Sequence, residues 1–176
     1  MLFYLLGVPG AGKTSVMRAA LQDVPAYIER RPFAWTRYPG GAQLGAERNG
    51  LFSGTDVLPL NVQPSVLRWL DRCPFQAIVA EGDRLANGVF FDAVRAQGWK
   101  LTVALIEIGP ALAATRREVR RAYQSQSWLR GRDTKVRRLA SAYADPDWIM
   151  SGRDSIDALG SRLRVHPAFR ALAHAG

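Results

Sequence analysis

Residues 1–16 read MLFYLLGVPGAGKTSV, and this stretch decides the fold. Leu2 to Leu6 is an unbroken apolar run that ends at Gly7, the pattern of a strand buried on both faces of a parallel sheet. Gly7 to Thr14 fits G-x-x-x-x-G-K-[ST], and Thr14 to Gln22 then reads as a helix. Glycines at these positions let backbone N–H groups curl around phosphates with no side chain in the way. The same anion meets the positive end of the following helix. Gly7, Pro9, Gly10, Ala11, Gly12, Lys13, Thr14 and Ser15 are therefore the candidate nucleotide-binding residues. Lys13 is expected to reach the β- and γ-phosphates of ATP, and the Thr14 hydroxyl to coordinate Mg2+.

Working outward, apolar runs alternate with helical patterns. Ala26 to Glu29, Ala77 to Ala80, Leu101 to Ile108 and Asp147 to Met150 read as further strands. Pro64 opens one helix and Asn87 caps another that stops at Gly98. Pro110 opens a helix that continues into an Arg-rich segment, and a short helical region follows Asp154. Strand–helix alternation predicts an α/β fold of three layers, αβα, with a parallel sheet of about five strands and helices on both faces. Arg30 to Asn61 shows no clear period, and a stretch of that length is usually functional or mobile. The length of 176 residues predicts one domain.

Composition excludes several classes. One cysteine, Cys73, rules out an internal disulfide framework and a thiolate zinc cluster. His166 and His174 are the only histidines, so a histidine metal site is not expected. No apolar run is long enough to cross a bilayer, and the expected location is cytoplasmic, that of the host if the chain is viral. The net charge of +9 attracts polyanions. Oligomeric state is not legible.

Two further features narrow the chemistry. Glu81 and Asp83, in AIVAEGDRL, place carboxylates at a strand end, where they can hold magnesium or orient an attacking hydroxyl. Asp83 can equally cap the next helix. Residues 116–138 carry eight arginines and one lysine against Glu118 and Asp133. Arg116 stands one helical turn from Arg120, and such stacked like charges call for an anion. With Arg132, they suit a lid, spanning about 112–140, that closes on the nucleotide and neutralises the transferring phosphoryl group. The N-K-x-D of guanine recognition is absent, and no elements of an ATPase motor are found.

The order of strand, GVPGAGKT, strand-end EGDRL and late Arg-rich segment resembles the thymidylate kinase family of P-loop phosphotransferases. GLFSGTDVLPLNVQPSV and QSWLRGRDTKVRRLA are more similar to small phage-type members, including 5-hydroxymethyluracil DNA kinases. The resemblance implies an ATP-dependent kinase in which Asp83-Arg84 is a strand-end Asp-Arg pair. It also implies that the end of the second strand borders the acceptor pocket. There ERRPFAWTRYPGG alternates Arg30, Arg31 and Arg37 with Phe33, Trp35 and Tyr38, a pairing suited to stacking bases and holding phosphates. Asp56 can take the proton of a hydroxyl acceptor or merely form a turn with Ser53 and Thr55. A polynucleotide accounts for the surplus positive charge better than one nucleotide does. Three readings follow: a kinase of a hydroxymethylated base in DNA, a kinase of free deoxynucleoside monophosphates, or a non-catalytic P-loop module that binds nucleic acid.

Overall fold

The computed structural model describes residues 1–46 and 53–174. Part of the GLFSGTDV stretch, and of the segment expected to lack a period, lies outside them. Seven strands form one sheet in the order β2-β3-β4-β5-β1-β6-β7. They are β1 (Leu2–Leu6), β2 (Tyr27–Glu29), β3 (Trp35–Tyr38), β4 (Gly41–Leu44), β5 (Ala77–Glu81), β6 (Leu101–Glu107) and β7 (Ala144–Ser151). From β4 to β7 every neighbouring pair is parallel; β2–β3 and β3–β4 are antiparallel. β1 sits between β5 and β6, and all five of its residues are buried, as expected for a strand covered on both faces.

The sheet differs from the expected five strands in one region. Residues 35–44, read as aperiodic, form a hairpin turning at Pro39-Gly40. Its second strand, β4, pairs parallel with β5. β2 is a short edge strand, with Tyr27 and Ile28 exposed.

Among the described residues seven α-helices cover the sheet: α1 (Lys13–Leu21), α2 (Gln63–Leu70), α3 (Gly88–Ala96), α4 (Pro110–Val119), α5 (Gln126–Tyr143), α6 (Ile156–Arg164) and α7 (Pro167–Ala173). On one face Tyr4, Ile78, Val103 and Leu105 pack with Val66, Phe90, Phe91 and Leu139 of α2, α3 and α5. On the other, Phe3, Leu5, Val79 and Ile106 pack with Val16, Met17, Leu159, Leu163 and Phe169 of α1, α6 and α7. The two-residue side-chain period of a strand explains the split: Phe3 and Leu5 face one layer, Leu2, Tyr4 and Leu6 the other.

The helix expected to run from Pro110 through the Arg-rich segment is broken. α4 ends at Val119, Arg121 adopts a left-handed φ of 52°, and Ser125 starts α5 by accepting a hydrogen bond from the Trp128 N–H. No helix among the described residues is long and apolar enough to cross a membrane.

Candidate active site

The loop between β1 and α1 lies at the C-terminal end of the middle strand of the parallel set, where open α/β sheets bind ligands. Gly12 takes φ 96°, a conformation that strains any other residue, and the first Lys13–Leu21 turn has no side-chain cap. Its N–H groups and helix dipole are thus directed at whatever anion the loop encloses. Lys13 Nζ donates to the Gly7 carbonyl at 2.9 Å, which holds the ammonium across the loop.

The carbonyls on the outer side of the loop are held by α4. Arg117 Nη1 donates to the Pro9 carbonyl at 2.8 Å, and Arg116 bridges the Ala11 carbonyl at 3.3 Å and the Gly152 carbonyl at 2.8 Å. Arg120 Nη2 donates to Ser15 Oγ at 2.9 Å. Contact with α4 is close: a Cβ at Gly10 would stand 2.5 Å from the Ala113 carbonyl. Arg116 and Arg117 therefore hold the loop's carbonyls, Arg120 bonds the first turn of α1, and all three leave positive charge beside the loop. Arg116 and Arg120 were expected near the nucleotide, and Arg117 belonged to the same Arg-rich cluster; Gly152 was not singled out.

Glu81 ends β5 next to this loop and is 2% exposed. Its Oε1 accepts a hydrogen bond from Thr14 Oγ1 at 2.9 Å. Burial pushes its pKa up to about 7, against the opposing pull of Lys13 and the Thr14 hydrogen bond. Asp56 adds to the rise and Arg120 opposes it. A hydroxyl and a carboxylate oxygen side by side suit a hard cation that keeps phosphate and water oxygens as its other ligands. Among the described residues no cluster of three or more His, Cys, Asp or Glu is present. The donor set thus fits a magnesium ion carried in with a nucleotide rather than a closed protein cage.

Asp83, paired with Glu81 in the sequence reading, has its partners on α5. Its carboxylate accepts from Arg132, and from Lys135 Nζ at 2.8 Å, and Lys135 also donates to the Asp83 carbonyl at 3.0 Å. Lys135 is a site residue that sequence reasoning missed; its place one turn after Arg132 was the available signal. Asp56 lies on a 3₁₀ turn, Gly54–Val57. Its Oδ1 accepts the backbone N–H groups of Asp83 at 2.6 Å and Arg84 at 3.2 Å, so the carboxylate ties this turn to the end of β5. Tyr4, fully buried, reinforces the tie: its hydroxyl donates to the Gly82 carbonyl at 2.9 Å and lies 3.4 Å from Thr55 Oγ1. Arg84 Nε is buried with no hydrogen-bond partner.

The aromatic acceptor platform expected at residues 30–38 is not formed. Phe33, Trp35 and Tyr38 are buried, Phe33 and Trp35 packing their rings on Trp69. Tyr38 lies in the opposite core layer, its hydroxyl donating to Gln43 at 3.2 Å. Apolar ring area gains more from the core than from solvent, and the pleat carries Trp35 and Tyr38 to opposite faces. Arg30, Arg31 and Arg37 are exposed, and Arg37 pairs with Glu29 at 3.6 Å and lies over the Tyr27 ring.

A mostly parallel sheet with a phosphate loop after β1, a buried strand-end carboxylate on Thr14 and arginines reaching over from α4 define a nucleotide-binding P-loop protein. The model of the P-loop Nucleotide Kinase3 family matches residues 1–156, and the chain belongs to that family. No curated protein and no solved structure matches the chain significantly.

Proposed function

We propose that the protein is an ATP- and Mg2+-dependent kinase whose acceptor is a hydroxymethyl group on a base in DNA, as in the 5-hydroxymethyluracil DNA kinases its sequence resembles. Membership of a nucleotide kinase family supports phosphoryl transfer. The observation that carries it further is the convergence of Lys13, Thr14–Glu81 and the arginines of α4 and its C-cap on the loop and the first turn of α1. Phosphoryl transfer is mostly positioning and charge neutralisation, and these groups supply both.

In the reaction, the acceptor oxygen bonds to the γ-phosphorus as the bond to the β-phosphate oxygen breaks, and ADP leaves. Magnesium, when bound, neutralises charge on the β- and γ-oxygens. The loop N–H groups and Lys13 hold the phosphates. Thr14 and Glu81 would hold the cation, Glu81 giving up its proton as the cation binds. A hydroxymethyl group must also lose a proton, and Asp56, oriented by two N–H groups, is the carboxylate assigned to take it. Arg132 and Lys135 anchor α5 to Asp83, and with Arg120 this region serves as the lid that excludes water.

One observation favours a second reading, a kinase of free deoxynucleoside monophosphates. The unpaired Arg84 Nε is a donor beside the turn that Asp56 holds, and a monophosphate would satisfy it. Labelled ATP supplied with hydroxymethyluracil DNA and, separately, with free monophosphates tells the two apart. Mass spectrometry of the nuclease-digested DNA should find the phosphate on the base. Label on monophosphates alone selects the second reading, and turnover dependent on neither acceptor sinks both. Lys13→Ala should lower transfer by about 100-fold or more.

A further inference from the structure

An exposed aromatic pair sits in the Arg-rich region, away from residues 30–38. Tyr123 is 84% exposed in the α4–α5 connection, and Trp128, in the first turn of α5, is 39% exposed. Buried rings need no explanation, but rings left in water beside cations do. Arg121 and Arg130 flank them, exposed and with no ion pair among the described residues. Position adds a second argument. The Arg132 guanidinium stacks over the Trp128 ring, 5.0 Å from its centroid, and the same guanidinium bonds to Asp83. Trp128 is thus two contacts from the end of β5, on the side of the sheet where the phosphate loop opens.

We propose that Tyr123 and Trp128, with Arg121 and Arg130, form a platform that binds a single strand of DNA and leads it to the phosphotransfer site. This rests on the reading that the acceptor is carried on DNA. Unpaired bases stack on exposed rings while guanidinium groups hold the phosphates; duplex bases are already stacked on one another and offer only phosphates to such a surface. The net charge of +9 supplies the complementary field.

Fluorescence anisotropy with labelled oligothymidine, the matching duplex and polyglutamate tests the platform. The full-length protein should bind the single strand most tightly and polyglutamate least. Trp128→Ala and Tyr123→Ala should each weaken single-strand binding by about 5- to 100-fold, with Trp128→Phe close to wild type. Arg121→Ala and Arg130→Ala should each reduce the salt slope by about 0.7. Arg121, Tyr123 and Arg130 are exposed, so melting temperatures should hold in their variants; Trp128 also stacks under Arg132, so a lowered melting temperature in Trp128→Ala moves the ring test to Tyr123→Ala. Wild-type-like binding by the Trp128→Ala/Tyr123→Ala double variant overturns the platform. Equal duplex affinity, insensitive to ring removal, overturns it as well.

Lys13→Ala should bind oligothymidine like wild type while failing to transfer phosphate, which separates the two proposals. Ring variants that bind and phosphorylate DNA normally would remove the platform and keep the kinase. Ring-dependent DNA binding with phosphorylation of free monophosphates only would keep the platform and remove the DNA acceptor.

Discussion

Glu81 is a carboxyl held where its surroundings oppose its ionisation. Its carboxyl is buried beside Thr14, and its pKa stands near 7, where an unfolded chain would have it near 4.5. A proton held more tightly by the folded state stabilises the unliganded protein fully below about pH 4.5. That contribution is lost as the pH rises through 7, so the site becomes an anion in want of a cation. Glu81→Gln should remove this slope. In urea melts the stability of the unliganded variant relative to wild type should rise between pH 5 and pH 8, by up to a few kcal/mol. Transfer should fall by about 100-fold. Retained transfer with an unchanged magnesium requirement would remove Glu81 from the cation site. The places of Lys13 and Thr14 beside the loop were legible from spacing alone, and that of Glu81 because a carboxylate closes a strand. Lys135 was not, since its partner Asp83 is reached only when α5 crosses to the end of β5.

Elements show where sequence signals compete. In residues 35–44 the run Trp35-Thr36-Arg37-Tyr38 has strand-forming side chains and Pro39-Gly40 a turn, but the glycines that follow mask a period in β4. The Arg-rich helix breaks because stacked arginines repel and Ser125 offers a fresh cap; α4 then turns to the loop and α5 to Asp83. The start of α7 carries a pH-sensitive contact. His166 Nδ1 accepts the Ala168 N–H at 3.1 Å, and its Nε2 lies 3.3 Å from Thr102 Oγ1, among Phe3 and Trp148. Burial, with Lys100 adding to it, lowers its pKa to about 4. A neutral ring is required for this cap, since a protonated Nδ1 has no lone pair to accept with. The unfolded chain takes up its proton near pH 6.5, so stability complete above that value is lost as the pH falls from 6.5 to 4. Relative to wild type, His166→Asn should gain unfolding free energy as the pH falls across this window, by an amount on the order of 2 kcal/mol. An unaltered profile in the variant would show that other groups set it.

At the scale of the molecule, one sheet is shared by two apolar layers, so neither layer can melt without exposing the strands of the other. Phe91, fully buried against Tyr4 and Tyr143, represents one layer. Phe169, packed on Phe3, represents the second. Phe91→Ala and Phe169→Ala should each cost about 3–5 kcal/mol. Far- and near-ultraviolet circular dichroism should follow one coincident transition in both variants. Separate transitions would mean that the layers unfold independently.

By itself the sequence determined the phosphate loop, the strand before it, the alternation that makes an α/β sheet and the excess of positive charge. These depend on neighbours in the chain: glycine spacing, an apolar run, a cap. Tertiary structure alone decided which rings are core and which face water. Phe33, Trp35 and Tyr38 share an Arg-and-aromatic composition with Tyr123 and Trp128, yet the first three are buried and the last two are exposed. It also decided that α4 holds the loop while α5 holds Asp83. The reason is that a side chain's partner is set by which elements the sheet brings together, and that is a property of strand order, which no local pattern encodes.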